Sequence, residues 1–270
     1  MLKKEKLMKL FAIFGNPVSH SRSPLMHNNV FKSLGIQSNY TRIKIEDGKK
    51  LKKTFLNLKL SGVNVTVPHK EAAYEACDEI RGFAKKVGVV NTIVNENGKL
   101  IGYNTDADGF MYSIKEFKNI KSVLILGAGG TAKSLSAKFQ EENLEVTLLN
   151  RSEARLKEYT KLGFKTYTHS NMPIKNYDLI VNTTSAGLKD ENYPAPLELL
   201  EPLINKATYC ADAIYGKVTP FLKLCQKYHK ESKDGADMLL GQGVLASMLF
   251  TQNRYKSEDI DAKMKESFLF

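Results

Sequence analysis

The sequence predicts an α/β protein of two domains. Three observations carry this: apolar strand segments alternate with helical segments along the chain, a glycine-rich turn joins one strand to one helix near the middle, and a hairpin signal separates two series of such units. At 270 residues and 42% hydrophobic content, the chain can bury a sizeable core as one large or two ordinary domains.

The first strand is read over Met8–Phe14, an apolar run stopped by Gly15-Asn16-Pro17. Lysines before an apolar run look like a secretory signal, but Lys9 interrupts the run and no small-residue cleavage site follows. Ser23-Pro24 then opens a helix reaching about Leu34. Asn39–Ile45 reads as a strand, Leu51–Leu58 as a helix, Val63–Val67 as a short buried strand ended by Pro68, and Lys70–Cys77 as another helix. Asn91–Val94 and Leu100–Tyr103 flank Asn97-Gly98, a dipeptide suited to positive φ in a hairpin turn. This hairpin is expected to close a first domain, 1–104, with a mainly parallel sheet, completed by C-terminal helices over 239–270.

A second series follows. Asp106–Phe117 looks helical, Ser122–Leu126 is a continuous apolar strand, and a helix runs from the glycine turn to about Glu141. Further strands are expected at Glu145–Leu149, Lys165–Tyr167, Leu179–Val181 and Thr208–Ala211, with helices between them. That period predicts a doubly wound, Rossmann-like nucleotide-binding sheet over 105–238. Two last helices, near Met238–Thr251 and Glu258–Phe268, add no strand and are expected to pack back on the first domain. Domains joined near Asn104 and Leu239 would form a cleft able to close on ligands.

Composition excludes several classes. The 40 basic residues exceed the 29 acidic ones, and the excess is local: residues 1–60 hold 13 basic and 3 acidic side chains, leaving 27 against 26 elsewhere. The Lys-rich stretch Asp47–Lys59 reads as a solvated helix face, so no nucleic-acid partner is expected. No run approaches the roughly 18 apolar residues that a membrane span needs. Cys77, Cys210 and Cys225 are scattered and odd in number, which points to neither a disulfide framework nor a thiolate metal site and fits a reducing cytoplasm. His20, His27, His69, His169 and His229 show no H-E-x-x-H spacing, and no metal is expected.

Gly127-x-Gly129-x-x-Ala132 is a dinucleotide fingerprint directly after a strand and before a helix. Gly127 permits the tight turn, Gly129 a close backbone approach to a pyrophosphate, and Ala132 close helix packing, while the helix N-terminus favours the anion. An NAD site usually places Asp or Glu at the end of the next strand; here Leu149 is followed by Asn150-Arg151-Ser152. Arg151 can form a charge-assisted fork with a 2′-phosphate, and Asn150 and Ser152 can add neutral hydrogen bonds, so NADP is favoured.

Lys70 stands just past a buried strand, where α/β proteins commonly locate sites. Asn91 ends a second segment, and Asp106 sits at the junction of the two proposed domains. Separately, each has a structural explanation: a surface cation, a turn residue, a helix N-cap.

The motifs Gly15-Asn16-Pro17 with Ser19-His20-Ser21-Arg22-Ser23-Pro24, NVTVPHK at 64–70, VVNT at 89–92, YNTDADG at 103–109, GAGGTA at 127–132, NRS at 150–152, NTTSAG at 182–187, DAIYGKVTPFL at 212–222 and Asp234-Gly235-x-x-Met238-Leu239-x-x-Gln242-Gly243 occur in the order found in shikimate dehydrogenases, which the chain resembles over nearly its whole length. That resemblance implies reversible reduction of 3-dehydroshikimate to shikimate by NADPH, in the pathway to chorismate and the aromatic amino acids, by a monomer or homodimer. It implies Lys70 as catalytic, paired with Asp106. Ser21 and Ser23 would bind the substrate carboxylate, Thr66, Asn91, Asp106 and Gln242 its hydroxyls, and Tyr215 its carboxylate side. Cofactor contacts are implied at Gly127, Ala128, Gly129, Gly130, Thr131, Ala132, Asn150, Arg151, Ser152, Thr183, Ser185 and Gly235. The chemistry suits these types: hydride reaching a carbonyl carbon pushes charge onto oxygen, where a proton donor and a cation lower the barrier. The chain departs from the family pattern at Asp237, where a glycine is typical beside the nicotinamide, and at Thr183 and Ala213. A quinate dehydrogenase, sharing the scaffold, and a non-catalytic NADP-binding regulator are the alternatives; Ser23 and Arg151 favour shikimate and NADP.

Overall fold

A computed structural model describes residues 8–269; the lysine-rich start at 1–7 lies outside them. The chain divides into two compact units, Met1–Asp106 with Leu240–Phe270, and Ala107–Leu239. The sequence reading drew these crossings at 104 and 238.

In the first unit the order is β1 (Lys9–Gly15), α1 (Ser23–Ser33), β2 (Ser38–Lys44), α2 (Leu51–Asn57), β3 (Gly62–Val65), α3 (Lys70–Ala76), β4 (Glu79–Ile80), α4 (Ala84–Val87), β5 (Thr92–Glu96) and β6 (Lys99–Tyr103). Its sheet runs β2-β1-β3-β5-β6-β4. Only β5 is antiparallel to its neighbours, so the sheet is mainly parallel. Asn97 and Gly98 have positive φ (54° and 89°), as a tight β5–β6 turn requires. On one face Phe14, Val63, Val65 and Ile93 pack against Leu51 and Phe55 of α2 and Ala73 of α3. The lysines of the 47–59 segment lie outside this apolar seam, and Lys52 pairs with Asp78 at 2.5 Å.

The second series comprises α5 (Asp106–Ser113), β7 (Ser122–Leu126), α6 (Gly130–Glu141), β8 (Glu145–Leu149), α7 (Glu153–Lys161), β9 (Lys165–Tyr167), β10 (Leu179–Asn182), α8 (Leu197–Lys206), β11 (Tyr209–Asp212), α9 (Pro220–Lys227) and β12 (Glu231–Lys233). Its all-parallel sheet runs β12-β11-β10-β7-β8-β9. Both faces are covered: Leu124 and Leu126 of β7 join the α8 and α9 side chains, while Val123 and Ile125 join Phe110, Leu135, Phe139 and Leu156. That is why β7 reads as an unbroken apolar run. Strand order reverses between β7 and β10, the place where open α/β sheets bind ligands at their carboxyl ends.

Two more helices complete the order, α10 (Ala236–Phe250) and α11 (Ser257–Glu266). Phe250 packs against Phe11 with ring centroids 4.6 Å apart and planes tilted by 34°, covering the other face of the first sheet. A Cβ on Gly62 would lie 2.8 Å from the Phe250 ring, so β3 carries glycine there.

Several expectations are corrected at their edges. The helix opened by Asp106 ends at Ser113 rather than Phe117, where the Ser113 hydroxyl donates to the Phe110 carbonyl at 2.7 Å. The strand expected through Val67 ends at Val65; Val67 is exposed and its carbonyl accepts from Asn16 N–H at 3.0 Å. The two-residue β4 and three-residue β12 were not anticipated. The last helix stops at Glu266 instead of Phe268, giving way to a 3-10 turn, Ser267–Leu269.

Candidate active site

Because β5 alone runs backwards, its start lies beside the ends of β3 and β6. Lys70, Asn91 and Asp106, which follow β3, precede β5 and follow β6, therefore meet beyond the carboxyl ends of β3 and β6. Lys70 Nζ donates to Asp106 Oδ2, and both residues are buried, 8% and 5% exposed. Asn91 Nδ2 donates to Asp106 Oδ1 and to Thr105 Oγ1, each at 2.9 Å, and Asn91 Oδ1 accepts the Thr105 N–H at 2.8 Å. Asn104 Oδ1 takes the Asp106 N–H at 3.1 Å, so Asn104 caps α5 and leaves the Asp106 carboxylate to its partners. Lys70 opens α3 behind His69, whose Nε2 is held by the Ile45 carbonyl at 2.6 Å. Taking two charges out of water costs more than such a pair reliably returns, so stability does not explain it; an ammonium and a carboxylate at the mouth of a sheet suit chemistry.

The loop after β1 carries the predicted serines. Ser21 Oγ donates to Ser23 Oγ at 3.1 Å and accepts the Ser23 N–H at 3.2 Å, with both residues buried. Arg42, absent from the sequence reading, clamps this loop: its Nε and Nη2 both donate to the Ser21 carbonyl, at 2.9 and 2.6 Å. Thr66 is half-buried after β3, with its methyl against Gly15, where a side chain could not fit. Gln242 lies half-buried on the portion of α10 belonging to this unit, whereas Tyr215 belongs to the second unit, half-buried in the loop after β11.

In the second unit the glycine turn has the form the fingerprint requires. Gly127 has φ +113°, and a Cβ there would lie 2.7 Å from Thr183 Oγ1, so turn geometry and the neighbouring loop both demand glycine. Gly129 is the N-cap of α6, no side chain caps that helix, and a Cβ at Gly129 would project into open space. Such a cradle beside a helix N-terminus fits a pyrophosphate. Ala128, Gly130 and Thr131 are half-buried around it, and Ala132 is fully buried against the sheet. Tyr159 of α7, another residue the sequence reading missed, donates its hydroxyl to the Gly129 carbonyl at 3.3 Å.

Arg151 is exposed at the end of β8, with Asn150 and Ser152 half-buried beside it; Asn150 Nδ2 donates to the Ser152 carbonyl at 3.0 Å. Partial burial and, less strongly, the nearby Arg151 guanidinium hold His169 below the ordinary imidazole value. Thr183 Oγ1 donates to the Leu126 carbonyl at 2.8 Å, tying the loop after β10 to the glycine turn, and Ser185 is exposed in that loop. Asp212 stiffens the surroundings, accepting from Asn182 Nδ2 at 3.1 Å, Thr219 Oγ1 at 2.6 Å and the Ile214 N–H at 3.0 Å, while burial raises its carboxyl above the usual range. Gly235 is required by the backbone of Ala213, which a Cβ would strike. Asp237 faces Lys233 of its own segment at 3.5 Å.

The three cysteines are unbridged. Burial pushes the Cys77 thiol up to about 12, and a hydrogen-bonded Cys210 together with burial raises Cys225. Neither is an available thiolate. Among the described residues no group of three His, Cys, Asp or Glu side chains could hold a metal ion, and no helix is long and apolar enough to cross a membrane.

A doubly wound sheet with a dinucleotide turn, in one chain with a unit that buries a Lys–Asp pair at the carboxyl ends of its strands, defines a dinucleotide-dependent α/β oxidoreductase. Residues 13–93 match the family profile described as "Shikimate dehydrogenase substrate binding domain". The chain is 42% identical over 265 residues to a shikimate dehydrogenase (NADP(+)) of Helicobacter hepaticus, covering 97% of this chain and 98% of that one. A crystal structure of shikimate dehydrogenase from Aquifex aeolicus superposes with a TM-score of 0.84 at 32% identity, covering 98% of this chain and all (100%) of that chain. That of Thermus thermophilus shikimate 5-dehydrogenase, in complex with NADP(H) and shikimate, does so with a TM-score of 0.82 at 30% identity, covering 96% and 100%. The chain belongs to the shikimate dehydrogenase family.

Proposed function

We propose that this chain catalyses the reversible, NADPH-dependent reduction of the 3-keto group of 3-dehydroshikimate to shikimate, in the biosynthesis of chorismate and the aromatic amino acids. The buried Lys70–Asp106 pair carries the reading. Bound NADPH supplies the hydride. As charge develops on the substrate oxygen, the Lys70 ammonium stabilises it and delivers the proton that completes the alcohol. Asp106 orients that ammonium and accepts from a substrate hydroxyl. Ser21 and Ser23 bind the carboxylate with Tyr215, and Thr66, Asn91 and Gln242 bind the hydroxyls.

For the cofactor, the segment Gly127, Ala128, Gly129, Gly130, Thr131 and Ala132 holds the pyrophosphate, and Arg151 with Asn150 and Ser152 holds the 2′-phosphate. Thr183, Ser185 and Gly235 line the remainder. The missing carboxylate at the end of β8 and the cationic Arg151 support NADP over NAD. Unbridged thiols suit a reducing cytoplasm; assembly as a monomer or homodimer is read by light scattering.

The test follows NADPH absorbance with shikimate or quinate and with NADP+ or NAD+. The highest kcat/KM is expected for shikimate with NADP+. Faster turnover of quinate would assign the chain to the quinate branch, and no turnover of either acid would leave a non-catalytic NADP-binding protein.

A further inference from the structure

The Lys70–Asp106 pair is the end of a longer buried chain of hydrogen bonds whose remote members, Tyr40, Asn64 and Thr92, touch neither group. Tyr40 Oη donates to Asn64 Oδ1 at 2.7 Å. Asn64 Nδ2 donates to Thr92 Oγ1 at 3.0 Å, and the Thr92 hydroxyl donates to Asn91 Oδ1 at 3.2 Å. Asn91 Nδ2 then donates to Asp106 Oδ1 at 2.9 Å, and Asp106 Oδ2 accepts from Lys70. Tyr40, Asn64, Thr92, Asn91 and Asp106 are all buried, and all lie in the first unit.

Every donor in this chain points the same way, from Tyr40 towards the carboxylate. The direction is set at one end by Asn91, whose oxygen must face the Thr105 N–H at 2.8 Å, and at the other by Asn64, whose Nδ2 also faces the Asn91 carbonyl at 3.5 Å and so turns its oxygen to the Tyr40 hydroxyl. Bonds aligned head to tail polarise one another, and a buried member that loses its neighbour is costly. The far end is itself immobilised. His27 stacks on the Tyr40 ring at 4.4 Å and an interplanar angle of 10°, and its Nδ1 is hydrogen-bonded to Ser247 Oγ at 2.8 Å.

We propose that Tyr40, Asn64 and Thr92 form a one-way relay of positioning residues that fixes Asn91 and, through it, the Asp106 carboxylate against Lys70. This deepens the proposed dehydrogenase reading and rests on it for the rate effect. Two nearly isosteric variants, Tyr40→Phe and Thr92→Val, each break one link. Each should lower kcat by about three- to tenfold with little change in KM, the loss expected for one neutral hydrogen bond acting in series with the pair. Thr92→Ser, which keeps the hydroxyl, should restore kcat. The double variant Tyr40→Phe/Thr92→Val should be no slower than the slower single variant, because a chain already broken cannot be broken again. Multiplying losses, or no rescue by serine, would overturn the relay.

A second readout does not need turnover. The side-chain amide resonances of Asn91 should move in Tyr40→Phe, although Asn64 and Thr92 intervene, and unmoved resonances in a folded variant would overturn the relay. A wild-type protein inactive on shikimate would refute the activity alone, since the amide resonances decide the relay separately.

Discussion

The two leading glycines of the nucleotide turn make opposite demands, and substituting each by alanine separates folding from cofactor binding. At Gly129, φ is −101° and ψ −171°, a conformation open to any residue, and a Cβ there meets nothing within 4 Å. Gly129→Ala should therefore fold normally: a stiffer unfolded chain contributes about 0.4–1 kcal/mol and the poorer N-cap opposes it, leaving a net change within about 1 kcal/mol. If that open space is where a pyrophosphate approaches the backbone, the methyl group removes at least one charge-assisted hydrogen bond. Such a loss, about 1.5–3 kcal/mol, weakens NADPH by roughly ten- to a hundredfold. At Gly127 the order reverses. Its φ of +113° and the 2.7 Å approach to Thr183 Oγ1 put the penalty into the fold, so Gly127→Ala should lose more than about 1–2 kcal/mol of stability from backbone strain alone. Calorimetric titration with NADPH and thermal unfolding of both variants measure the two effects. Unchanged NADPH affinity in a well-folded Gly129→Ala protein would refute the assignment of this turn to the pyrophosphate.

Lys70→Ala should lower kcat by about two to four orders of magnitude with a smaller change in KM, because its main interaction strengthens as charge develops; it should also lose about 3–5 kcal/mol of stability through the unpaired Asp106, and a folded, fully active variant would remove Lys70 from the mechanism. Arg151→Asp should weaken NADP+ far more than NAD+ in equilibrium titrations, and equal changes for both would reject the 2′-phosphate contact. His27, fully buried, is lowered by burial from 6.5 to about 3, against a smaller upward pull from Asn64. The neutral ring is thus favoured in the folded state, so stability is complete above pH 6.5 and falls as the pH drops towards 3, the unfolded chain binding the proton first. Between about pH 6 and 5 the slope from this residue approaches 1.4 kcal/mol per pH unit, so denaturant midpoints should fall less steeply with acidification in His27→Gln than in the wild type. Parallel slopes would show that His27 is charged in the folded protein.

Strand and helix positions were readable where one physical signal dominated. The run Val123–Leu126 is apolar throughout because both faces of β7 are covered, and Asn97-Gly98 supplied the positive φ that the β5–β6 turn adopts. Elements held by their surroundings were not readable. The pair Glu79–Ile80 becomes β4 only because β6 offers an edge, and Glu231–Lys233 becomes β12 only against β11. Neither segment carries a periodicity long enough to detect. Likewise Val67 looked like the end of a strand because it is β-branched, yet its carbonyl serves the loop after β1.

For the site, residue types at strand ends were visible in the sequence, whereas their convergence was not. Lys70, Asn91 and Asp106 are separated by up to 36 positions, and only the reversed direction of β5 brings the three together. The Asn97-Gly98 turn encodes the reversal against β6, but nothing local places β5 beside β3. Asn64 is the instructive omission: a polar side chain at a buried strand position, between Val63 and Val65, must find partners or forfeit stability, and that obligation was legible. Its partners were not, because only the sheet order puts Thr92 on the adjacent strand β5 and Tyr40 on β2, on the far side of β1. A polar residue inside an apolar strand is therefore a pointer to a network, and here that network runs to the carboxylate.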